Sequence, residues 1–150
     1  MKLISVVTPC YNEEANVEEL YLKVRAVFNE LKTHDYEHIF IDNASQDKTV
    51  TILKQLAKND KNLKIIINIK NFGHIRSPYY ALLQAKGDAV ILIGSDLQDP
   101  PELIKAFIGK WEEGYKIAIG VKEKSEENPV IFAVRKLYYV LISKFSDVAQ

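Results

Sequence analysis

The stretch AVILIGSDLQDPPE, residues 89–102, decides how this chain is read. Its apolar residues run unbroken from Ala89 to Ile93. A run of that kind suits a strand covered on both faces, as in a parallel sheet. Asp96 follows at the strand's end, where a carboxylate stands at the edge of the sheet. Asp99 is then followed by Pro100 and Pro101, which fit the first turn of a helix, with Asp99 as its candidate cap. The spacing of Leu103, Ile104, Phe107, Ile108 and Trp111 continues that helix.

Outward from this unit the same alternation repeats. Leu3–Thr8, His38–Asp42 and Leu63–Asn68 read as strands, with a weaker one over Lys116–Gly120. Between them lie helical stripes. Val17, Leu20, Val24, Val27, Phe28 and Leu31 form one, and Ile52, Leu53, Leu56 and Ala57 form another with Asp47 as its cap. A further helix is expected over Ser77–Lys86 with Pro78 near its start. Val130–Phe145 reads as a last helix with a wide apolar face. Strand–helix alternation predicts a three-layer α/β fold around a mostly parallel sheet. Ligands of such sheets bind beyond the carboxyl ends of the strands. That rule selects Pro9–Glu13, Asp42–Asp47, Asn71–Arg76 and Gly94–Glu102. All four are rich in polar residues, Gly or Pro, whereas an opposite-edge turn such as KNDKN (58–62) is plain and lysine-rich.

Composition narrows the function classes. With 150 residues the chain fits a single domain, and 47% apolar against 27% charged residues is the balance of a globular protein. Twenty basic residues offset twenty acidic ones, so no global field draws nucleic acid or an anionic membrane. Cys10 is the only cysteine, which excludes an internal disulfide and multi-cysteine zinc sites and agrees with a reducing compartment. No apolar run reaches the roughly 20 residues of a membrane span, and the amino-terminal one is too short for a signal peptide. Gly-x-Gly-x-x-Gly, Walker-type and Gly-x-Ser-x-Gly patterns are absent. The chain stops at SDVAQ directly after a periodic apolar segment, and it is read as a fragment.

Each candidate element carries a plain reading beside a chemical one. Asp96 and the amide oxygen of Gln98 offer hard oxygen donors for Mg²⁺ or Mn²⁺, or Asp96 simply ends a strand in a turn. In TPCYNEE, Pro9 stiffens the strand exit, Tyr11 offers a flat ring, and Asn12 or Glu13 can bond a base or ribose. The same residues also suit a helix start, where acidic groups favour the dipole. Asp42 can accept from the imide N–H of a base, or serve a turn. In NFGHIRSP, Gly73 permits close backbone approach while His74 and Arg76 can face phosphate, or His74 is an ordinary loop histidine.

Taken together, TPCYNEE, IDNASQDKT, NFGHIRS and GSDLQDPPE, in this order and spacing, resemble family 2 glycosyltransferases over essentially the whole chain. The nearest likeness is the branch that transfers sugars to polyprenyl (dolichyl or bactoprenyl) phosphate. The resemblance implies a single glycosyltransferase A-type domain over 1–150, cut short at its carboxyl end. It implies a UDP- or GDP-sugar donor, Mg²⁺ or Mn²⁺, and a lipid-phosphate or glycan acceptor reached by inversion. By position, Pro9, Tyr11, Asn12, Glu13, Asp42, Gly73, Arg76, Ser95 and Asp96 correspond to donor contacts, and Asp96 with Gln98 to the metal ligands. Gly94 replaces the first aspartate of the family's Asp-x-Asp motif, Asn43-Ala44 its usual Asp-Gly, His74 its lysine and Lys122 its arginine. The family's acceptor-side base and the membrane helices of many members fall beyond residue 150, so no catalytic residue is assigned. The implied setting is cytoplasmic, at the membrane's cytoplasmic face for the longer protein. The 130–145 segment is then a candidate for peripheral membrane contact, for core packing or for a homo-oligomer contact.

Overall fold

The computed structural model describes residues 1–121 and Tyr138. The chain divides into two compact units, Met1–Ala118 and Ile119–Gln150, and the elements below all lie in the first. In order these are β1 (Lys2–Cys10), α1 (Val17–Glu30), β2 (His34–Asp42), α2 (Thr49–Ala57), β3 (Leu63–Ile67), α3 (Gly73–Gln84), β4 (Ala89–Leu92) and α4 (Leu103–Glu112).

The strands form one parallel sheet in the order β3-β2-β1-β4. The chain steps outward from β1 to β3, then returns to lay β4 on the other side of β1. That reversal puts the topological switch point of the sheet between β1 and β4, beyond whose carboxyl ends ligands of such sheets bind. Alternate residues of a strand face opposite sides. Ile4 and Val6 of β1 therefore join a core with Leu20, Val24, Leu53 and Ile104 from α1, α2 and α4. Val7 instead meets Ile39, Ile41 and Ala81 of α3 in a smaller core. Three layers around a parallel sheet is the architecture the alternation predicts.

Several boundaries differ from the sequence expectation, each for a local reason. β1 runs on to Cys10, so Pro9 lies within the strand opposite Ile41. β2 begins at His34, four residues early, through the polar HDYE. Its Glu37 is only 3% exposed, yet it accepts from the Ser5 hydroxyl (2.5 Å), the Lys86 N–H (2.7 Å) and the Lys64 ammonium. Burial opposes its ionisation, but those bonds together hold its carboxyl below the usual range. Helix α3 begins at Gly73, so His74 and Arg76 sit on its first turn rather than in a loop, and Pro78 lies inside it. Among the described residues no strand forms over 116–120. Ile117 and Ile119 are both 79% exposed, and a strand without a partner is not stable in water. Residues 122–137 and 139–150, with Lys122 and nearly all of the 130–145 segment, lie outside the described residues.

His38 is the one histidine sealed in the larger core. It shares a 3.0 Å hydrogen bond with the Thr8 hydroxyl and lies 4.2 Å from the Phe40 ring, while its Nδ1 has no partner. Burial pushes its imidazole down from 6.5 to about 3, with distant Asp60 opposing. Because the folded pKa is depressed, the unfolded chain binds a proton below pH 6.5 that the folded one refuses. Stability is therefore complete above pH 6.5 and falls as pH drops towards 3. Urea unfolding between pH 6.5 and 5 should show a loss of up to about 1.4 kcal/mol per pH unit. His38→Gln should flatten that slope in this interval.

Candidate functional site

Four loops leave the carboxyl edge of the sheet: residues 11–16, 43–48, 68–72 and 93–102. Three contain a non-glycine residue with positive φ, Asn12 (56°), Ala44 (66°) and Leu97 (58°), and at the remaining one Gly73 (83°) opens α3. Asn tolerates this left-handed region, but a Cβ makes it costly for Ala and Leu. Backbone strain of this kind collects where surrounding contacts over-determine a functional geometry.

The first two loops hold each other. The backbone N–H groups of Asn12, Glu13 and Glu14 donate to Ser45 Oγ (2.8 Å), Thr49 Oγ1 (2.9 Å) and Asp47 Oδ2 (3.0 Å). In return, Gln46 N–H donates to Asn12 Oδ1 and Lys48 N–H to Glu14 Oε2, each at 2.8 Å. Asp47 also takes the Thr49 N–H at 3.0 Å, so it caps α2 as expected and anchors loop one besides. Those bonds hold its carboxyl below the usual range, against a desolvation that would raise it. The side chains of Asn12 and Glu13 are accordingly engaged within the protein, Glu13 Oε2 by Asn16 at 2.7 Å. Tyr11 alone of that loop presents a large free face, at 44% exposure.

Asp42 closes β2 and is fully buried. One carboxylate oxygen accepts the Ser45 N–H at 3.0 Å, while Oδ1 has no partner. A buried acceptor without a donor costs about 1–3 kcal/mol, more when charged. Its neighbour Asn43 is also buried and bonds across to loop three. In the sequence Asn43 shows only as a departure from the family's usual aspartate, and its pairing in space has no local signature. On the first turn of α3, His74 and Arg76 are both exposed, and Lys70 lies just before it, 5.3 Å above the Phe72 ring. The helix dipole adds positive potential there.

After β4, Ser95 is buried while Asp96 and Gln98 are exposed. Asp96 Oδ1 accepts the Gln98 N–H at 3.2 Å. A Cβ on Gly94 would stand 3.2 Å from that same oxygen, so glycine leaves room for the carboxylate to turn back over the strand end. Among the described residues no three acidic, His or Cys side chains gather as a metal cluster. Asp96 and Gln98 offer two hard oxygens, which fits a cation whose other ligands arrive with a diphosphate. Helix α4 opens with Leu103 and Ile104 donating to the carbonyls of Pro100 (3.0 Å) and Pro101 (3.1 Å), and Glu102 just before it contributes no side-chain cap.

Ala44→Gly should relieve the left-handed strain, worth about 1–2 kcal/mol, at some entropic cost to the folded chain. We expect a net gain of about 0.5–1 kcal/mol in urea unfolding. Leu97→Gly should instead lower stability, because Leu97 packs against the larger core.

Comparison with known proteins agrees with this geometry. The profile described as "Glycosyl transferase family 2" matches residues 5–148. An uncharacterized glycosyltransferase of Bacillus subtilis, YkcC, is 36% identical over 96% of this chain and 45% of its own length. A prophage bactoprenol glucosyl transferase homolog of Escherichia coli is 34% identical over 96% of this chain and 47% of its own. The chain thus spans a little under half the length of these relatives. Among solved structures, TarS of S. aureus in complex with UDP superposes with a TM-score of 0.62 at 29% identity, over 85% of this chain and 38% of that one. The mannosyltransferase PcManGT of Pyrobaculum calidifontis, in complex with GDP-Man and Mn²⁺, gives 0.61 at 24% identity over 72% of this chain and 31% of that one, a likeness of fold. By its sequence, and by a parallel sheet that carries its polar loops at one edge, this chain belongs to glycosyl transferase family 2.

Proposed function

We propose that this chain is the donor-binding part of a metal-dependent glycosyltransferase, one domain that takes a nucleotide-diphosphate sugar and passes the sugar, with inversion, to a polyprenyl phosphate. The observation that carries this reading is Asp42 Oδ1, a buried carboxylate oxygen without a donor at the ligand edge of the sheet. Uracil N3–H and guanine N1–H are donors of the kind it lacks, and a hydrogen bond to a carboxylate is stronger than one between neutral groups. Pro9, Tyr11, Asn12 and Glu13 border the nucleoside side, with the Tyr11 ring able to lie against a base. Gly73, His74 and Arg76 at the positive end of α3 face the phosphates, and Ser95 backs the loop that holds Asp96.

Asp96 and Gln98 would hold Mg²⁺ or Mn²⁺ together with phosphate oxygens; such an ion neutralises charge that builds on a departing diphosphate. The acceptor attacks the anomeric carbon from the side opposite the leaving diphosphate, and a single displacement inverts the centre. A lipid phosphate is already anionic near neutral pH, so its attack requires little help from a base. A sugar hydroxyl would require it. The bactoprenol glucosyl transferase homolog among the relatives supports the lipid acceptor, and UDP and GDP-Man in the neighbouring structures support a nucleotide donor. Such an acceptor puts the reaction at the cytoplasmic face of a membrane. Among the described residues no helix is long and apolar enough to cross one.

Calorimetric titration with UDP and GDP, with and without Mn²⁺, tests the reading. We expect binding of at least one, strengthened by Mn²⁺. Asp42→Asn should weaken it roughly ten- to a hundredfold, the value of one charge-assisted hydrogen bond. Asp96→Ala should abolish the Mn²⁺ increment and leave the metal-free affinity. Failure of the unaltered chain to bind either nucleotide would refute the proposal.

A further inference from the structure

Asn43 occupies a position no ligand argument singled out, yet it makes more cross-loop bonds than any other side chain at the site. Its Nδ2 donates to Asn71 Oδ1 (2.8 Å) and to the Gly73 carbonyl (3.3 Å). Its Oδ1 accepts the Phe72 N–H (2.9 Å) and Asn68 Nδ2 (3.2 Å). Asn71 Oδ1 also accepts the Gly73 N–H (2.8 Å), and Asn68 donates on to Ser77 Oγ (2.9 Å). The backbone joins in, with Asn43 N–H donating to the Cys10 carbonyl and Asn68 N–H to that of Asp42, both at 2.9 Å. Helix α3 has no cap from its own N-cap residue and no acid in its first turn. The N–H groups of Phe72 and Gly73 are taken instead by side chains of loops two and three.

We infer that Asn43 is a positioning residue: it fixes the amino end of α3, with His74 and Arg76, in register with Asp42, so that the two ends of a nucleoside diphosphate are held as a unit. This rests on the nucleotide-binding reading above. Asn43 uses two donor and two acceptor functions at once, and its donors meet acceptors, a carbonyl and Asn71 Oδ1. Alanine would remove all four side-chain bonds and leave the backbone bond to the Cys10 carbonyl in place. Asp42 and Ser45 would be untouched, because their mutual bond does not pass through the Asn43 side chain.

The test compares a nucleoside diphosphate with its monophosphate, using the full chain and whichever of UDP/UMP or GDP/GMP it binds. In Asn43→Ala, affinity for the diphosphate should fall about tenfold or more while that for the monophosphate changes less than about twofold. Asn71→Ala, at an exposed position that removes the shared acceptor, should give the same split and covers the case in which the buried substitution impairs folding. Equal losses for both ligands in either variant would mean a general structural role and overturn the inference, as would diphosphate affinity that neither variant changes. If the unaltered chain binds no nucleotide, the donor-binding reading fails and this one with it. If it binds and the split is missing, only this one fails.

Discussion

The parallel register that sets Cys10 beside Asp42, and Asp42 beside Ile67, is the constraint from which the rest of the molecule follows. Parallel strands reverse direction only through crossovers, so every strand ends at the same edge and each following loop begins there. With β4 aligned on β1 through Val7 and Leu92, four chain segments far apart in sequence open side by side. A shift of one residue in any pair would turn buried isoleucines outward and Asp42 out of its place. The hydrophobic pattern that secures the core is thus the same pattern that aims the loops.

Loops alone would not keep a defined shape at that edge. Here they are tied in pairs: the first to the second through Asn12, Glu14, Ser45, Asp47 and Thr49, and the second to the third through Asn43 and Asn71. Most of these bonds join a side chain of one loop to a backbone N–H of another. Two of them satisfy N–H groups just ahead of helices, those of Lys48 before α2 and Phe72 before α3. Left-handed Asn12, Ala44 and Leu97 persist in this setting because neighbouring bonds and packing hold them there. Asp42 Oδ1 stands out against so complete a satisfaction of its surroundings, and a donor from outside is the simplest way to complete it.

Much of this was legible in the residues. Continuous apolar runs marked the strand cores, period-3.6 stripes marked α1, α2 and α4, and the edge rule located all four loops. What escaped was determined by contacts distant in sequence. HDYE precedes the strand expected from His38, yet belongs to it because Ser5, Lys64 and Lys86 satisfy Glu37. Gly73 to Arg76 read as a loop ahead of a helix expected from Ser77, yet they belong to α3, whose start is capped from elsewhere in the chain. The alternation in Lys116–Gly120 had no neighbouring strand to join among the described residues. Asp42 and Asp96 could be found by position, but the role of Asn43 required knowing that Asn68 and Asn71 lie against it.

The reciprocal clasp between the first two loops has a thermodynamic consequence. Segments that must order themselves around a ligand lose conformational freedom at the moment of association, and the contact has to overcome that loss. In this molecule much of that loss is incurred during folding, since every bond of the clasp joins groups of the chain itself. A guest entering such a rigid seat would bury little surface beyond its own, so its heat-capacity signature should be small and its encounter rate close to that of a preformed receptor. The compensating weakness is brittleness: a single changed amide or carboxylate in the clasp disturbs two loops together.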